Sequence, residues 1–198
     1  EMEFGIKKCG VMGIGEDAMD AVRDLASTGA WKLSGMDLPV VTEYKYLGTL
    51  ITSDLSLDAM VAERVKQGQK SYGCMGSFLG TRHIPLSIRI QALKSCLIPT
   101  LTFGGELFGG SEPRVAPLQR LLNKAIKRVM GAKELANIAT GALSLEVDIA
   151  PIHAMVCAQR CRAVKKYPFL RTVIGALSRS KQPGGGERAW YALARGAV

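Results

Sequence analysis

One histidine and two cysteines in the second half of the chain recur at intervals of four residues: His153, Cys157 and Cys161. On a helix this spacing places the side chains on one face, and thiolate with imidazole is a ligand set for zinc. A fourth ligand would have to come from elsewhere, such as Cys96 or Cys74. The Cys-x-x-Cys knuckle that zinc sites more often use is absent. Small, partly apolar residues on a buried helix face explain the spacing equally well, so we predict no metal site.

No other catalytic constellation is indicated by the sequence. The only histidines are His83 and His153, so a Ser-His-Asp set is not indicated. Gly13-Ile14-Gly15 lacks the remainder of a dinucleotide fingerprint, and no glycine-rich phosphate loop leads into a Lys-Ser or Lys-Thr pair. We therefore expect no cofactor for this chain.

The cysteines and the start of the chain bear on the compartment. Five cysteines form an odd, scattered set, and Glu1-Met2-Glu3 opens the chain without a charged-then-apolar leader. This pattern predicts free thiols in a reducing, intracellular compartment, whether nucleus, cytoplasm or organelle. No run of about 18 apolar residues occurs, so we expect neither a membrane span nor a membrane partner. A first residue other than Met, followed at once by strand-like sequence, indicates a piece of a longer protein.

Positive charge is concentrated in the downstream part of the chain. Residues 1–59 contain five Lys/Arg against ten Asp/Glu, whereas residues 60–133 contain twelve against three and residues 134–198 nine against four. A basic block of this kind indicates a polyanionic partner, and in a chain without a secretory leader nucleic acid is the leading candidate. A solvated basic face on a soluble helical protein is the alternative.

Helical spacing predicts the elements that carry these cations. A helix is predicted from about Leu57 to Phe78, and its glycines 68, 73 and 76 indicate a close helix–helix contact or a break near Gly73. Further helices are predicted at Ile88–Ile98, with Ser87 as a possible cap and Pro99 kinking or ending it, and at Pro117–Met130, Thr140–Leu145, Pro151–Lys166 and Arg188–Arg195. The candidate binding cations on these helices are Arg64, Lys66, Lys70, Arg89, Lys94, Arg120, Lys124, Lys127 and Arg128.

The helix at Pro117–Met130 is the clearest amphipathic element. Its leucines and other apolar residues recur every three or four positions, and its cations cover the opposite side. Such a basic face could bind phosphates, an acidic membrane surface or nothing. Because the helix has no aromatic anchors, membrane binding is the weakest of the three.

The first part of the chain is predicted to contain β-structure and, at Gly15–Ala30, either a short helix or a mobile insert. A strand is expected near Cys9–Ile14. Aromatic and β-branched residues predict a strand over Glu43–Thr52, in which Gly48 marks a bulge or a close backbone approach. Trp31–Leu38 is predicted to be a strand with a turn at Gly35 and to pair with Val40–Ile51 across Asp37-Leu38-Pro39, forming a β-hairpin.

Two runs carry a resemblance to a known family. Tyr44-Lys45-Tyr46-Leu47-Gly48 is followed by Ser53-Asp54, and at the right distance a helix ending in Leu97-Ile98-Pro99 leads into Phe103-Gly104-Gly105-Glu106-Leu107-Phe108. In this order they resemble the primer-grip strand and thumb of a reverse transcriptase of the non-LTR (LINE-type) retrotransposon class, over residues 2–150. The second run has Phe where the family usually has Tyr and Trp.

The resemblance implies which residues meet the nucleic acid. Tyr46, Leu47 and Gly48 match the primer-grip hairpin, and the cations of the helices match the thumb. Lys8 matches the lysine of the family's motif D, which lies near the incoming triphosphate. The Asp-Asp pair that holds magnesium in a full polymerase is missing from the sequence, so we expect no catalysis by this chain alone.

The resulting prediction is an α+β fold that is mainly α. Residues 1–56 form a palm remnant with the hairpin, 57–133 a helical thumb and 134–198 a helical connector with a flexible Gly-rich linker near 181–187. The predicted partner is RNA or an RNA–DNA duplex, alongside the remaining polymerase domains. The first alternative is a co-opted, non-catalytic structural subunit of a ribonucleoprotein or other assembly, and the weaker one is a helical protein–protein adaptor.

Overall fold

The computed structural model describes residues 9–131 and 139–171. The chain separates into two compact units, Glu1–Met60 and Val61–Val198. Helices dominate, and the strands form small antiparallel hairpins, which confirms the predicted mainly helical α+β class. The predicted domain boundary after residue 56 lies four residues before this division, and the predicted boundary at 133/134 falls outside the described residues.

The first unit contains a helix and two β-hairpins within its described part. Helix α1 (Glu16–Ser27) has Glu16 and Asp17 in its first turn, where the helix dipole favours negative charge. Strands β1 (Lys32–Leu33) and β2 (Met36–Asp37) pair with each other, and β3 (Glu43–Tyr46) pairs with β4 (Thr49–Thr52).

The predicted pairing of Trp31–Leu38 with the Tyr-Leu-Gly strand is wrong. Each segment instead folds back on itself through a two-residue turn, with positive φ at Ser34 (51°) and Gly35 (79°) in one, and at Leu47 (47°) and Gly48 (83°) in the other. Turns with two positive φ values match the twist of a tight hairpin. Gly48 is therefore a turn residue and not a bulge.

The strand expected near Cys9–Ile14 is reduced to a single bridge. Val11 donates its N–H to the carbonyl of Pro39 at 3.0 Å and accepts from the N–H of Val41 at 2.9 Å. The bridge is parallel, and it ends there because Gly13 is packed against α1 near Ala18 and Met19. Contact with the helix thus replaces further strand pairing.

The second unit is helical in its described part. Its helices are α2 (Leu57–Gly80, which begins in the first unit), α3 (Leu86–Ala92), α4 (Ile98–Thr102), α5 (Gly105–Phe108), α6 (Glu112–Val129), α7 (Thr140–Glu146) and α8 (Ile152–Lys166). The core is formed by apolar side chains with less than 2% exposure, among them Leu79, Leu97, Leu101, Phe108, Leu118, Leu122, Ile152 and Val156. A short 3₁₀ turn, Tyr167–Phe169, follows α8.

The glycines of α2 do not break it. The helix continues through Gly73 to Gly80, and a Cβ at Gly73 would meet nothing within 4 Å. Gly68 is different, because a Cβ there would collide with Leu101 and lie 3.0 Å from Cδ2 of Leu121. Of the two predicted roles, close helix contact is therefore the one that occurs, at Gly68.

Of the two predicted effects of Pro99, an end of the helix does not occur, because the helix continues past it. A π-helical turn, Leu93–Leu97, joins α3 to α4, and the N–H of Ile98 donates to the carbonyl of Leu93. Pro99 then stands in the first turn of α4, directly after the π-helical turn. The helix also begins at Leu86, with Pro85 and not Ser87 in the cap position.

Helix α6 begins five residues earlier than predicted. Pro113 takes the N-terminal proline position, and Pro117 lies inside the helix. The early turn is retained because Val115 is buried in the core with 1% exposure. Gly131, with φ 70°, follows the helix end as expected. The predicted linker at 181–187 and the helix at 188–195 lie outside the described residues, and within the described ranges no helix is long and apolar enough to cross a bilayer.

Candidate nucleic-acid interface

Helices α2 and α6 lie side by side and run in the same direction. Gly68 contacts Leu121, Tyr72 contacts Lys124, and the Nε of Arg128 donates to the carbonyl of Gly76 at 3.2 Å. The separation in sequence between the two partners is nearly the same in all three pairs, so the two helices are parallel and stay in contact over two turns. This packing fixes the positions of the α6 cations relative to α2.

The solvent face of α6 carries a row of cations, here called the α6 ridge: Arg120, Lys124 and Lys127. Arg120 and Lys124 are exposed and Lys127 is half-buried. The opposite face of the same helix is buried, with Leu118, Leu122 and Ala125 at 0% exposure. The ridge follows from the 3.6-residue period of the sequence, and Glu112 in the first turn is the acidic residue of this helix.

A groove of about 470 Å³ separates the ridge from α2. We call it the α2–α6 groove. Its apolar lining comes from Val65, Pro117 and Leu121, which are buried or half-buried. Its exposed polar lining comes from Gln69, Arg120 and Lys124, and Tyr72 completes it. The Nζ of Lys124 lies 5.3 Å from the centre of the Tyr72 ring, a cation–π contact.

Two of the predicted binding cations are buried. Arg89 is 8% exposed, and its guanidinium donates to the carbonyls of Leu79 (3.2 Å), Ile84 (3.1 Å) and Val129 (2.7 Å). The carbonyls of Leu79 and Val129 lie at the C-terminal ends of α2 and α6, where they have no helical donor of their own, and Ile84 lies in the loop before α3. Arg64 is also 8% exposed and lies 5.2 Å from the centre of the Phe103 ring. Both guanidinium groups are held within the protein.

A further buried arginine was not among the predicted site residues. Arg160 of α8 is 6% exposed and donates to the carbonyl of Gly109, beside the Phe103–Phe108 run. Burial lowers the pKa of its guanidinium from the ordinary value. The run that carries part of the family resemblance therefore contacts one buried arginine, Arg64, and is followed directly by Gly109, which contacts a second, Arg160.

The other predicted residues are dispersed. Lys66 and Lys70 are exposed on α2, and neither lines the α2–α6 groove. The Nζ of Lys94 lies 3.3 Å from a carboxylate oxygen of Asp148. In the first unit, Tyr46 and Leu47 are 59% and 77% exposed at the tip of the β3–β4 hairpin, next to Gly48. Lys8 lies outside the described residues.

A second cavity, of about 690 Å³, lies on the other side of the ridge, between α6, α7 and the start of α8. Arg120 and His153 line it, and the side-chain carbonyl of Gln119 accepts from the N–H of Ile152 at 2.7 Å. The Sγ of Cys157 lies 3.4 Å from Nε2 of His153. Within residues 9–131 and 139–171, no three His, Cys, Asp or Glu side chains are placed to hold a metal ion.

Sequence reasoning missed Tyr72 and Gln69, which line the groove. The sequence did contain a signal for Tyr72. It lies one helical turn after Gly68, on the face of α2 that the glycines predicted to contact another helix. Which helix would supply the cation opposite the ring could not be read from spacing within α2. The pairing with Lys124 joins residues 52 positions apart.

Comparisons with known proteins add no relative, since no family model, curated protein or solved structure matches the chain. The resemblance to non-LTR reverse transcriptases therefore depends on the residues named above.

Proposed function

We propose that this chain binds a nucleic-acid duplex, the template–primer hybrid of a non-LTR reverse transcriptase, as its thumb and primer grip. The observation that carries the proposal is the α6 ridge. Arg120 and Lys124 project into solvent beside the α2–α6 groove, from a helix whose opposite face is buried. This arrangement is suited to phosphate contacts. Such contacts position a duplex and read its shape and not its base sequence.

Lys66 and Lys70 extend the positive surface on α2 and are proposed as further phosphate contacts. Tyr46, Leu47 and Gly48 form an exposed hairpin tip, which is the part of the first unit that we propose to meet the terminal backbone of the primer. The chain acts by binding and not by catalysis, because its sequence contains no Asp-Asp pair for the two metal ions of nucleotidyl transfer.

The test is binding of the purified chain to a labelled RNA–DNA hybrid across a salt series, compared with Lys124→Glu/Lys127→Glu. Each lost phosphate contact reduces the slope of log affinity against log salt by about one, so the double variant should bind more weakly, to every sequence alike, with a slope reduced by about two.

A matched control is Lys165→Glu/Lys166→Glu. It makes the same change in net charge at two exposed positions, about 20 Å along α8 from Ile152, where α8 meets Gln119 of α6. The control should lose less affinity than the ridge variant. Equal losses would show that net charge and not the ridge drives binding, and no binding of the unaltered chain at low salt would overturn the proposed function.

A further inference from the structure

The α2–α6 groove combines the chemical features that an unpaired nucleotide requires. Its inner lining is apolar, from Val65, Pro117 and Leu121, and the ring of Tyr72 is half-buried beside it. A nucleobase presents two π-faces that stack on an aromatic ring and exclude water. A site for an isolated phosphate would not need an apolar lining with an aromatic side chain.

The rim of the groove supplies the charges for the rest of the nucleotide. The guanidinium of Arg120 is exposed there and can donate two parallel hydrogen bonds to the oxygens of a phosphate. The ammonium of Lys124 lies 5.3 Å from the centre of the Tyr72 ring, so one face of this ring is accessible from solvent. A base can take this place on the ring when the flexible lysine turns towards a phosphate.

The amide of Gln69 lies at the same rim and is exposed. An amide both donates and accepts hydrogen bonds, and every base has donors or acceptors on its edge. One amide therefore adds polar contact with little choice between bases.

From these features we infer that the α2–α6 groove binds a single unpaired nucleotide, with its base stacked on Tyr72 and its phosphate at Arg120. The inference rests on the proposed function and extends it, because a base within a duplex is already stacked on its neighbours and cannot enter the groove. The site would thus hold a single-stranded segment or a frayed end adjoining the duplex on the ridge.

The experiment measures the affinity of the full chain for a fluorescein-labelled oligothymidylate and for the same backbone with abasic residues. The duplex is measured in parallel. The variants are Tyr72→Leu, which removes the ring, and Tyr72→Phe, which keeps it. Stacking of one base is worth about 5- to 150-fold in affinity. The unaltered chain and Tyr72→Phe should prefer the base-bearing strand by this order, and Tyr72→Leu should lose the preference with its salt slope unchanged, since no cation is removed.

A second measurement does not depend on how a variant folds. Photo-crosslinking of the unaltered chain to an oligonucleotide that carries 5-iodouracil should label Tyr72, as read by mass spectrometry of the peptide from Ser71 to Arg82. Crosslinks confined to other peptides would overturn the inference. So would equal affinity of the unaltered chain for base-bearing and abasic strands. If the duplex still binds with its steep salt dependence, only this inference fails; if the duplex does not bind, the proposed function fails with it.

Discussion

The buried arginines and the α6 ridge carry the same charge within one helical unit and have opposite surroundings. Arg89 is 8% exposed and donates to backbone carbonyls near the ends of α2 and α6, whereas Arg120 and Lys124 stand on the solvent face of α6. A guanidinium can leave water when its N–H groups find acceptors inside the protein. Arg89 therefore holds helices together, whereas Arg120 and Lys124 of the ridge remain in solvent.

This contrast shows why a count of basic residues overstates a binding surface. Arg64, Arg89 and Arg160 are all buried, yet in the sequence they look like their exposed neighbours. The groups that remain for a polyanion are fewer and are gathered on α6 and the outer side of α2. The following predictions test this division between buried and exposed cations, beginning with the largest effect.

Replacing Arg89 by Met should have the greatest effect on stability. The change leaves the carbonyls of Leu79 and Val129 without their guanidinium donor, and a buried acceptor that loses its partner costs about 1–3 kcal/mol. We expect the free energy of unfolding to fall by about 3 kcal/mol, as measured by urea denaturation. Arg82→Met, at an exposed position, is the control and should change it by less than about 0.5 kcal/mol. Similar values for the two variants would contradict the structural role of Arg89.

Helix α2 has a buried glycine, Gly68, and an exposed one, Gly73, so the comparison of buried with exposed positions can also be made for its packing. A Cβ at Gly68 would collide with the side-chain end of Leu101, which is fully buried, so the core around it would have to repack. Gly68→Ala should therefore destabilise by about 1–3 kcal/mol, less the gain in helix propensity. Gly73→Ala, which meets nothing within 4 Å, should stabilise by about 0.5–1 kcal/mol. Thermal melts of the pair provide the measurement, and a stabilised Gly68→Ala would show that the α2–α6 contact is loose.

The ridge variant Lys124→Glu/Lys127→Glu should behave in the opposite way to Arg89→Met. Its loss of stability should be about 1 kcal/mol or less, because exposed charges and one cation–π contact contribute little. Its affinity for the hybrid should nevertheless fall. The measurement is urea denaturation in the buffer used for binding. Unfolding of this variant would mean that the ridge cations, like Arg89, are needed to hold the helices together.

The smallest effect concerns Tyr167, at the end of α8. Burial, and secondarily the charge of Glu106, raises the pKa of its phenol. Because the folded pKa is above the unfolded one, the folded state keeps a proton that the unfolded state has lost, so the contribution to stability is complete below about pH 10 and falls above it. Tyr167→Phe should reduce the loss of melting temperature between about pH 9 and pH 11. Thermal melts at both pH values provide the measurement, and an unchanged loss would contradict the prediction.

Much of the helical unit could be predicted because its signals are local. The periodic apolar residues of Thr140–Glu146 and Ile152–Lys166 indicated these helices to within one residue at each end. The start of α6 was misplaced, since the burial of Val115 and not proline placement decides it. The hairpins were wrongly paired because a non-glycine residue, Leu47, takes a positive φ that its residue type does not reveal.

For the candidate site, the sequence alone determined which side of α6 is basic, because a helix repeats its faces every 3.6 residues. It also placed Lys66 and Lys70 on one face of α2. Only the tertiary structure decided that Arg64 and Arg89 turn inwards, and that Tyr72 of α2 meets Lys124 of α6. The reason is physical: exposure depends on which other helix covers a face, and the partners of a buried guanidinium or an aromatic ring come from distant parts of the chain.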